Sequence, residues 1–139
     1  MSSSANRDSV ALSKADYERI SHFRYRLRRF LRISERICHS QGLTSLQYQL
    51  LLHVQGFPGR DWAVISELAE RLQAQHHGVV ALIDRCEKLG LVTRRQGRQD
   101  RRAVEIHLTA AGIARLERIA SLHQDELHRL ITEFAQIER

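Results

Sequence analysis

The hydrophobic pattern of this 139-residue chain is helical along most of its length and changes to that of strands at residues 91–108. Residues 91–95 have the composition of a strand, and a polar segment around Gly97 follows them. In the returning strand, Val104, Ile106 and Leu108 alternate with Glu105 and His107. This change of period predicts a β-hairpin. The fold is therefore expected to be mainly α, with one small β element.

Apolar residues at spacings of three and four predict a first helix over residues 13–41. It begins at a capping pattern, Ser13 to Asp16, and is expected to end near Gly42. The positions that form its apolar seam are Ile20, Phe23, Leu27, Phe30, Ser34 and Ile37. Such a seam is typical of a helix that packs lengthwise against another helix.

Three shorter helices are predicted between the first helix and the hairpin. Thr44 begins a capping box for the first of them, and a brief extended piece is possible at residues 62–64. The second covers residues 65–72, and the third covers about residues 75–89, with Gly90 as its stop. The buried positions expected in these helices are Leu46, Leu50, Leu51, Val54, Ile65, Leu68, Ala69, Leu72, Val79, Leu82, Ile83, Cys86 and Leu89.

One long last helix, capped by Thr109, is predicted over residues 109–139. A helix of this length needs a partner along most of it, so we expect residues 13–41 and 109–139 to be dimerisation helices of a homodimer. An intramolecular bundle is the alternative. Residues 44–108 would form the lobe between them, and residues 1–12 a flexible tail. His123, in the seam of the last helix, is expected to be packed and hydrogen-bonded.

The charge balance favours a polyanionic partner and the motifs exclude several other classes. The chain has 22 Lys and Arg against 16 Asp and Glu, and only two of the basic residues are lysines. No apolar stretch is long enough to span a membrane and no secretory leader is present, so a cytoplasmic protein is expected. Cys38 and Cys86 form no CxxC pair, and no catalytic or phosphate-cradling motif occurs. We therefore expect no metal, no cofactor and no enzymatic activity.

Two neighbouring features predict a winged helix-turn-helix. Ala69, Gln73 and Val79 stand at the spacing of the small, turn and packing residues of a helix-turn-helix, although glycine is usual at the turn. The hairpin that follows has a local charge of +4, with Asp100 as its only acid among Arg94, Arg95, Arg98, Arg101 and Arg102. Such a tip suits contacts with phosphates or the minor groove of DNA.

Residues 65–72 (ISELAERL), 79–92 and 100–112 (DRRAVEIHLTAAG) resemble the MarR family of bacterial transcriptional regulators. The most specific part is D-x-R followed by V-x-[VLI]-x-L-T-x-x-G, and the order of elements agrees over about residues 13–135. The resemblance implies a homodimer that binds a pseudo-palindromic operator in double-stranded DNA. It also implies repression, often released by a small aromatic or phenolic effector.

The same resemblance places the helix at about residues 75–89 in the major groove. With Leu82, Cys86 and Leu89 turned inward, the outward positions are expected to be Gln75, His76, His77, Val80, Ala81, Asp84 and Lys88. Gln75, His76 and His77 are the candidates for contacts with base edges, and Val80 or Ala81 for a thymine methyl group. A metal site at His76 and His77 is disfavoured, because neighbouring helical residues diverge and no third ligand is evident.

In the hairpin, Asp100 matches the family's structural acid, which pairs with an arginine. Arg102 matches the arginine that enters the minor groove, while Arg98 and Arg101 are expected to contact phosphates, with Arg94 and Arg95 beside them.

The effector cannot be identified from the residues. In the family, its pocket would gather residues around His39, Tyr48 and the start of the last helix. Cysteine-based redox sensing through Cys38 and non-specific architectural DNA binding are alternative functions. An arginine strip on the first helix, Arg24, Arg28, Arg32 and Arg36, has three possible roles: contact with DNA phosphates, pairing across the dimer with acids of the last helix, or solvation.

Overall fold

The computed structural model describes residues 10–137. The helices are α1 (Lys14–Ser40), α2 (Ser45–Gln55), α3 (Ile65–Leu72), α4 (His76–Lys88), α5 (Ala110–Leu122) and α6 (Gln124–Ile137), and the strands are β1 (Trp62–Val64), β2 (Val92–Gln96) and β3 (Val104–Leu108). The prediction of a mainly helical chain with a β-hairpin wing is confirmed. Within the described residues, no helix combines the length and apolar content needed to cross a membrane.

Residues 34–124 form one compact unit around a small antiparallel sheet. The strand order is β1-β3-β2, so the brief extended piece at residues 62–64 pairs with the returning strand of the hairpin. Arg95 of β2 and Val64 of β1 flank Glu105 of β3. The sheet thus anchors the hairpin to the chain that precedes α3.

The core of this unit consists of side chains from α2 to α5 and the sheet, together with Cys38 at the end of α1 and the loop residues Leu43 and Leu91. Its fully buried members include Leu50, Leu51, Val54, Leu68, Val79, Ile83, Cys86, Ile106 and Ile119. Burying each large aliphatic side chain contributes about 1.5–3 kcal/mol relative to leaving it in water. The predicted core is therefore largely confirmed, and it fixes α3, α4 and the hairpin on one support.

Four positions differ from their predicted burial, and one of them, Val104 at the start of the returning strand, is 37% exposed. Leu46 and Leu89 are each 52% exposed. Leu46 lies in the first turn of α2, and Leu89 is the C-cap of α4, where the chain turns away at Gly90 with a φ of +74°. Glu105, a polar position of the hairpin, is buried at 8% exposure. Its carboxylate accepts a hydrogen bond from the His107 Nε2 atom at 2.9 Å.

The predicted helix caps are present. The Thr44 hydroxyl accepts from the Gln47 N–H at 3.1 Å, and the Gln47 side chain accepts from the Thr44 N–H at 2.9 Å. Ser13 and Asp16 exchange equivalent bonds, which lower the pKa of the Asp16 carboxyl. The Thr109 hydroxyl accepts from the Gly112 N–H at 3.0 Å, so it begins α5 as expected.

The prediction of one continuous last helix is wrong, because the helix is interrupted at His123. The imidazole Nδ1 donates to the Ile119 carbonyl at 2.8 Å, which is the acceptor that the His123 backbone N–H would use in an α-helix. That N–H bonds the Ala120 carbonyl instead. The Nε2 atom of the same ring hydrogen-bonds the Ser34 hydroxyl at 2.7 Å. His123 is buried and hydrogen-bonded, as predicted.

Residues 10–33 and 125–137 lie in a second unit, built from the start of α1 and most of α6. Phe23 and Phe134 stack with ring centroids 4.7 Å apart, Arg26 pairs with Glu133, and Leu130 is buried. Several large apolar side chains of this unit are nonetheless exposed, namely Val10, Leu12, Tyr17, Ile20, Phe23, Tyr25, Leu31, Leu127 and Ile131. The two helix segments therefore cover only part of each other's apolar surface.

Candidate nucleic-acid interface

The turn between α3 and α4 has the geometry of a helix-turn-helix. Gln73 adopts the left-handed conformation, with φ +50° and ψ +47°, at the position where the sequence pattern predicted a turn residue. The Ala74 N–H bonds the Ala69 carbonyl at 3.0 Å, which closes the turn. Ala69 packs against the core and Val79 is fully buried. The three positions thus have the roles that their spacing predicted.

α4 presents most of the predicted DNA-facing residues to solvent. Gln75 is its N-cap and makes no side-chain capping bond. The exposed residues are Gln75, His76, His77, Ala81, Asp84 and Lys88, and Val80 is half-buried. No acidic residue lies in the first turn, so the positive end of the helix dipole is not neutralised there. This end of α4 therefore suits a phosphate or an electronegative groove.

The tip of the hairpin is a tight turn with its arginines exposed. Gly97 donates to the Ala103 carbonyl at 2.9 Å, and Ala103 donates to the Asp100 carbonyl at 3.0 Å. A Cβ atom at Gly97 would lie 2.3 Å from the Asp100 carbonyl oxygen, so only glycine fits. The four exposed arginines are Arg95, Arg98, Arg101 and Arg102. They form a basic tip with unhindered guanidinium groups.

Asp100 braces this tip by a different contact from the one implied by the family resemblance. Its carboxylate accepts from the backbone N–H of Arg102 at 3.0 Å, and no ion pair joins it to an arginine side chain within residues 10–137. No ion pair among the described residues involves the Arg102 guanidinium. This arrangement orders the backbone at Arg102 without occupying its guanidinium.

Arg94 does not belong to the exposed tip. Its guanidinium lies 2.5 Å from the Asp84 carboxylate and 2.6 Å from the Glu87 carboxylate, both on α4. We call these three residues the Arg94 bridge. β2 runs beside the C-terminal half of α4, so Arg94 ties the hairpin to that helix. Asp84 was expected to face DNA, and its carboxylate is instead committed to this bridge.

Arg60, which the sequence pattern did not single out, stabilises the start of α3. The Arg60 guanidinium lies 4.2 Å from the ring centroid of Phe57 and 4.0 Å from that of Trp62, and it pairs with Glu67. Glu67 also accepts from the Val64 N–H at 3.0 Å. Arg60 therefore joins the loop, β1 and the first turn of α3. The only sequence signal was an arginine between two aromatic residues.

Cys38 lacks the surroundings of a redox-active thiol. Its side chain is fully buried, and desolvation raises the pKa of the thiol despite a hydrogen bond with Ser34. Burial also raises the pKa of the Cys86 thiol, to about 11. Reactive cysteines are partly exposed and have a lowered pKa, so these features disfavour a sensor at Cys38.

The residues expected around an effector pocket are not brought together. His39 lines an open cavity of about 480 Å³ with Glu35, Arg36, Ser40, Leu43, Thr44 and Ser45. Tyr48 is buried elsewhere and stacks on His123, with ring centroids 4.8 Å apart. The structure therefore provides a cavity near His39 to which neither Tyr48 nor the start of α5 contributes.

An exposed helix after a left-handed turn, together with a basic hairpin tied to that helix, defines a winged helix-turn-helix protein. The sequence model of the MarR family matches residues 41–103. The HTH-type transcriptional repressor YetL of Bacillus subtilis is 26% identical over 108 residues, which cover 77% of this chain and 64% of YetL. The resemblance to the MarR family that the motifs predicted is therefore confirmed over residues 41–103.

Solved structures show the same fold. AbsC, a MarR family transcriptional regulator from Streptomyces coelicolor, superposes with a TM-score of 0.74 at 22% identity, covering 91% of this chain and 84% of AbsC. BpsR of Bordetella bronchiseptica, whose DNA binding is regulated by 6-hydroxynicotinic acid, gives a TM-score of 0.62 at 19% identity, with coverage of 77% and 74%. The sequence matches, to the MarR family model and to YetL, are to regulators, which agrees with the prediction that the chain is not an enzyme.

Proposed function

We propose that this chain is a dimeric, sequence-specific DNA-binding repressor. The observation that carries the proposal is the joint presentation of two surfaces on one support: the exposed face of α4 and the arginine tip of the hairpin. α4 would enter the major groove with Gln75, His76 and His77 at the bases. Arg102 would enter the minor groove, and Arg95, Arg98 and Arg101 would contact phosphates.

The proposed dimer rests on the apolar surface of residues 10–33 and 125–137. Exposed side chains of Ile20, Leu31 and Ile131 remain on this unit although Phe23 packs on Phe134. A second copy is the natural cover for such a surface, because a two-fold dimer pairs like with like. Each copy of α4 would then bind one half-site of a pseudo-palindromic operator.

Release of the operator by a small aromatic or phenolic molecule is the finer part of the proposal. It is supported by the family resemblance and by BpsR, whose DNA binding responds to 6-hydroxynicotinic acid. The cavity beside His39 is the candidate site, since it includes one of the residues around which the resemblance places the pocket.

The deciding experiment is a selection of genomic fragments bound by the full-length protein. We expect enrichment of a two-fold sequence whose half-sites are about 10 bp apart, centre to centre. The affinity for that sequence should exceed the affinity for scrambled duplex by roughly 10³ or more. Affinity independent of sequence would instead identify an architectural DNA-binding protein, and a site without two-fold symmetry would contradict the dimeric arrangement.

A further inference from the structure

The arginine strip of α1 is not part of the proposed operator-binding surface, although its last member, Arg36, lines the cavity beside His39. Arg24, Arg28, Arg32 and Arg36 are all exposed. At about 100° per residue, they lie on the side of α1 roughly opposite the seam that contains Phe23 and Phe30. The strip therefore faces away from the contact between Phe23 and Phe134.

Internal acids do not neutralise the strip. Residues 24–36 contain six arginines and one glutamate. Arg26, which is not part of the strip, makes the ion pair with Glu133 of α6. No ion pair within residues 10–137 involves a member of the strip. Pairing with the acids of the last helix within one chain is thus not the role of these arginines.

The spacing of the strip carries a cost in helix stability. Like charges at i and i+4 destabilise a helix by about 0.2–0.5 kcal/mol per pair, and the strip contains three successive pairs of this kind. A helix face that is merely solvated usually alternates acidic and basic residues, which avoids this repulsion. An external polyanion would relieve it.

The geometry of the strip matches a phosphate backbone. Successive members are about 6 Å apart along the helix axis, so the strip extends over about 18 Å. Duplex DNA carries about one negative charge per 1.7 Å of its axis, which gives each guanidinium a phosphate within reach. Tyr25 is exposed on the same side and carries a hydroxyl donor. Guanidinium groups bind phosphates through two parallel hydrogen bonds.

We propose that the arginine strip is a second, sequence-independent contact surface for duplex DNA. It goes beyond the operator-binding surface, because it lies on α1 and uses neither α4 nor the hairpin. Duplex DNA is favoured over other polyanions because the chain already presents a basic hairpin suited to its grooves. Such a surface would hold duplex DNA irrespective of its sequence.

The test measures binding to a fluorescein-labelled duplex of scrambled sequence by anisotropy over a series of salt concentrations. The strip variant is Arg24→Gln/Arg28→Gln/Arg32→Gln in the full chain. The matched control, Arg19→Gln/Arg118→Gln/Arg129→Gln, removes the same charge from exposed arginines outside the strip. We expect the strip variant to bind about tenfold more weakly and the slope of log K against log salt to fall by roughly 2–3, with the control near the wild type.

Three results would overturn the proposal. Equal losses in both variants would show an effect of net charge alone, and no loss in either would show a solvated strip. Loss of binding only to a labelled RNA or to vesicles containing phosphatidylserine would assign the strip to another partner. A charge-conserving variant, Arg24→Lys/Arg28→Lys/Arg32→Lys, should retain most of the affinity for the scrambled duplex. Because the duplex carries no operator, these results do not depend on the proposed operator binding, which Arg102→Ala tests separately.

Discussion

Arg102 is the side chain on which the proposed minor-groove contact depends. It is exposed, and Asp100 orders its backbone without engaging its guanidinium. We expect Arg102→Ala to weaken operator binding by roughly 1–3 kcal/mol in a gel-shift titration, with little change in the thermal unfolding midpoint. Arg118→Ala, at an exposed position of α5, is the control. An operator affinity equal to that of the wild type would remove Arg102 from the interface.

Gly112, like Gly97, is a position where only glycine fits. A Cβ atom there would lie 2.0 Å from the Leu91 carbonyl oxygen, because the first turn of α5 packs on the segment that leaves α4. Thr109 joins the same segment by bonding the carbonyls of Leu91 and Gly90 at 3.0 and 2.6 Å. The last glycine of the hairpin motif therefore serves a close approach of two backbones.

A pair of glycine substitutions tests this close approach. Gly112→Ala should lower the free energy of unfolding by about 1–3 kcal/mol or more, because backbone has to shift to admit the methyl group. Gly78→Ala should raise it by about 0.5–1 kcal/mol, since Gly78 is helical and its Cβ position is open. Urea unfolding of both variants measures the difference. Equal effects would mean that the contact with Leu91 is not a constraint.

At the scale of elements, the Arg94 bridge couples the hairpin to α4. We expect Arg94 to position the hairpin rather than to bind phosphate, because its guanidinium lies between Asp84 and Glu87. Arg94→Ala should weaken operator binding, but it should have no further effect in an Asp84→Asn/Glu87→Gln background. In this double-mutant cycle, the coupling free energy between Arg94 and the two carboxylates should be about 0.5–1 kcal/mol, since the Arg94 bridge is partly exposed.

The salt dependence of operator binding is an independent test of whether Arg94 positions the hairpin or contacts a phosphate. A lost phosphate contact lowers the slope of log K against log salt by about 1, whereas a lost positioning contact leaves it unchanged. Arg95→Ala, at the next position of β2 and exposed, should lower the slope and show no coupling to Asp84. If Arg94→Ala lowers the slope to the same extent in both backgrounds, Arg94 contacts DNA directly.

The order of elements and the turn of the helix-turn-helix could be predicted from the sequence because both depend on local patterns. The capping box at Thr44, the left-handed residue at Gln73 and the change of period at the hairpin are signals within a few residues of the features they specify. The sequence pattern also placed the exposed face of α4 correctly, since the period of a helix fixes which side is buried.

What could not be predicted depends on contacts between distant residues. The break at His123 arises from a bond between its ring and the Ile119 carbonyl and from Ser34, which lies 89 positions away in the chain. The apolar residues keep their spacing of three and four through the break, so periodicity alone predicts one continuous helix. The Arg94 bridge similarly requires β2 to lie beside α4, which a count of basic residues at the tip does not reveal.

At the scale of the whole molecule, the proposed dimer depends on the apolar surface of the terminal helices. Ile20 and Ile131 are 50% and 58% exposed. We expect Ile20→Glu/Ile131→Glu to dissociate the dimer, because two charged side chains per subunit would be buried at the interface without partners. Sedimentation velocity should show a monomer, and operator affinity should fall by a factor of about 100 or more, as a monomer contacts only one half-site.

The dimer prediction requires a control of equal charge on a surface outside the terminal helices. Leu46→Glu/Leu89→Glu adds the same two charges at exposed apolar positions of residues 34–124. This variant should sediment as the wild type does, because neither position lies on the surface assigned to the second copy. If the terminal variant also sediments as a dimer, the interface lies elsewhere. If the wild type is itself a monomer at micromolar concentration, two-fold operator recognition would require assembly on DNA.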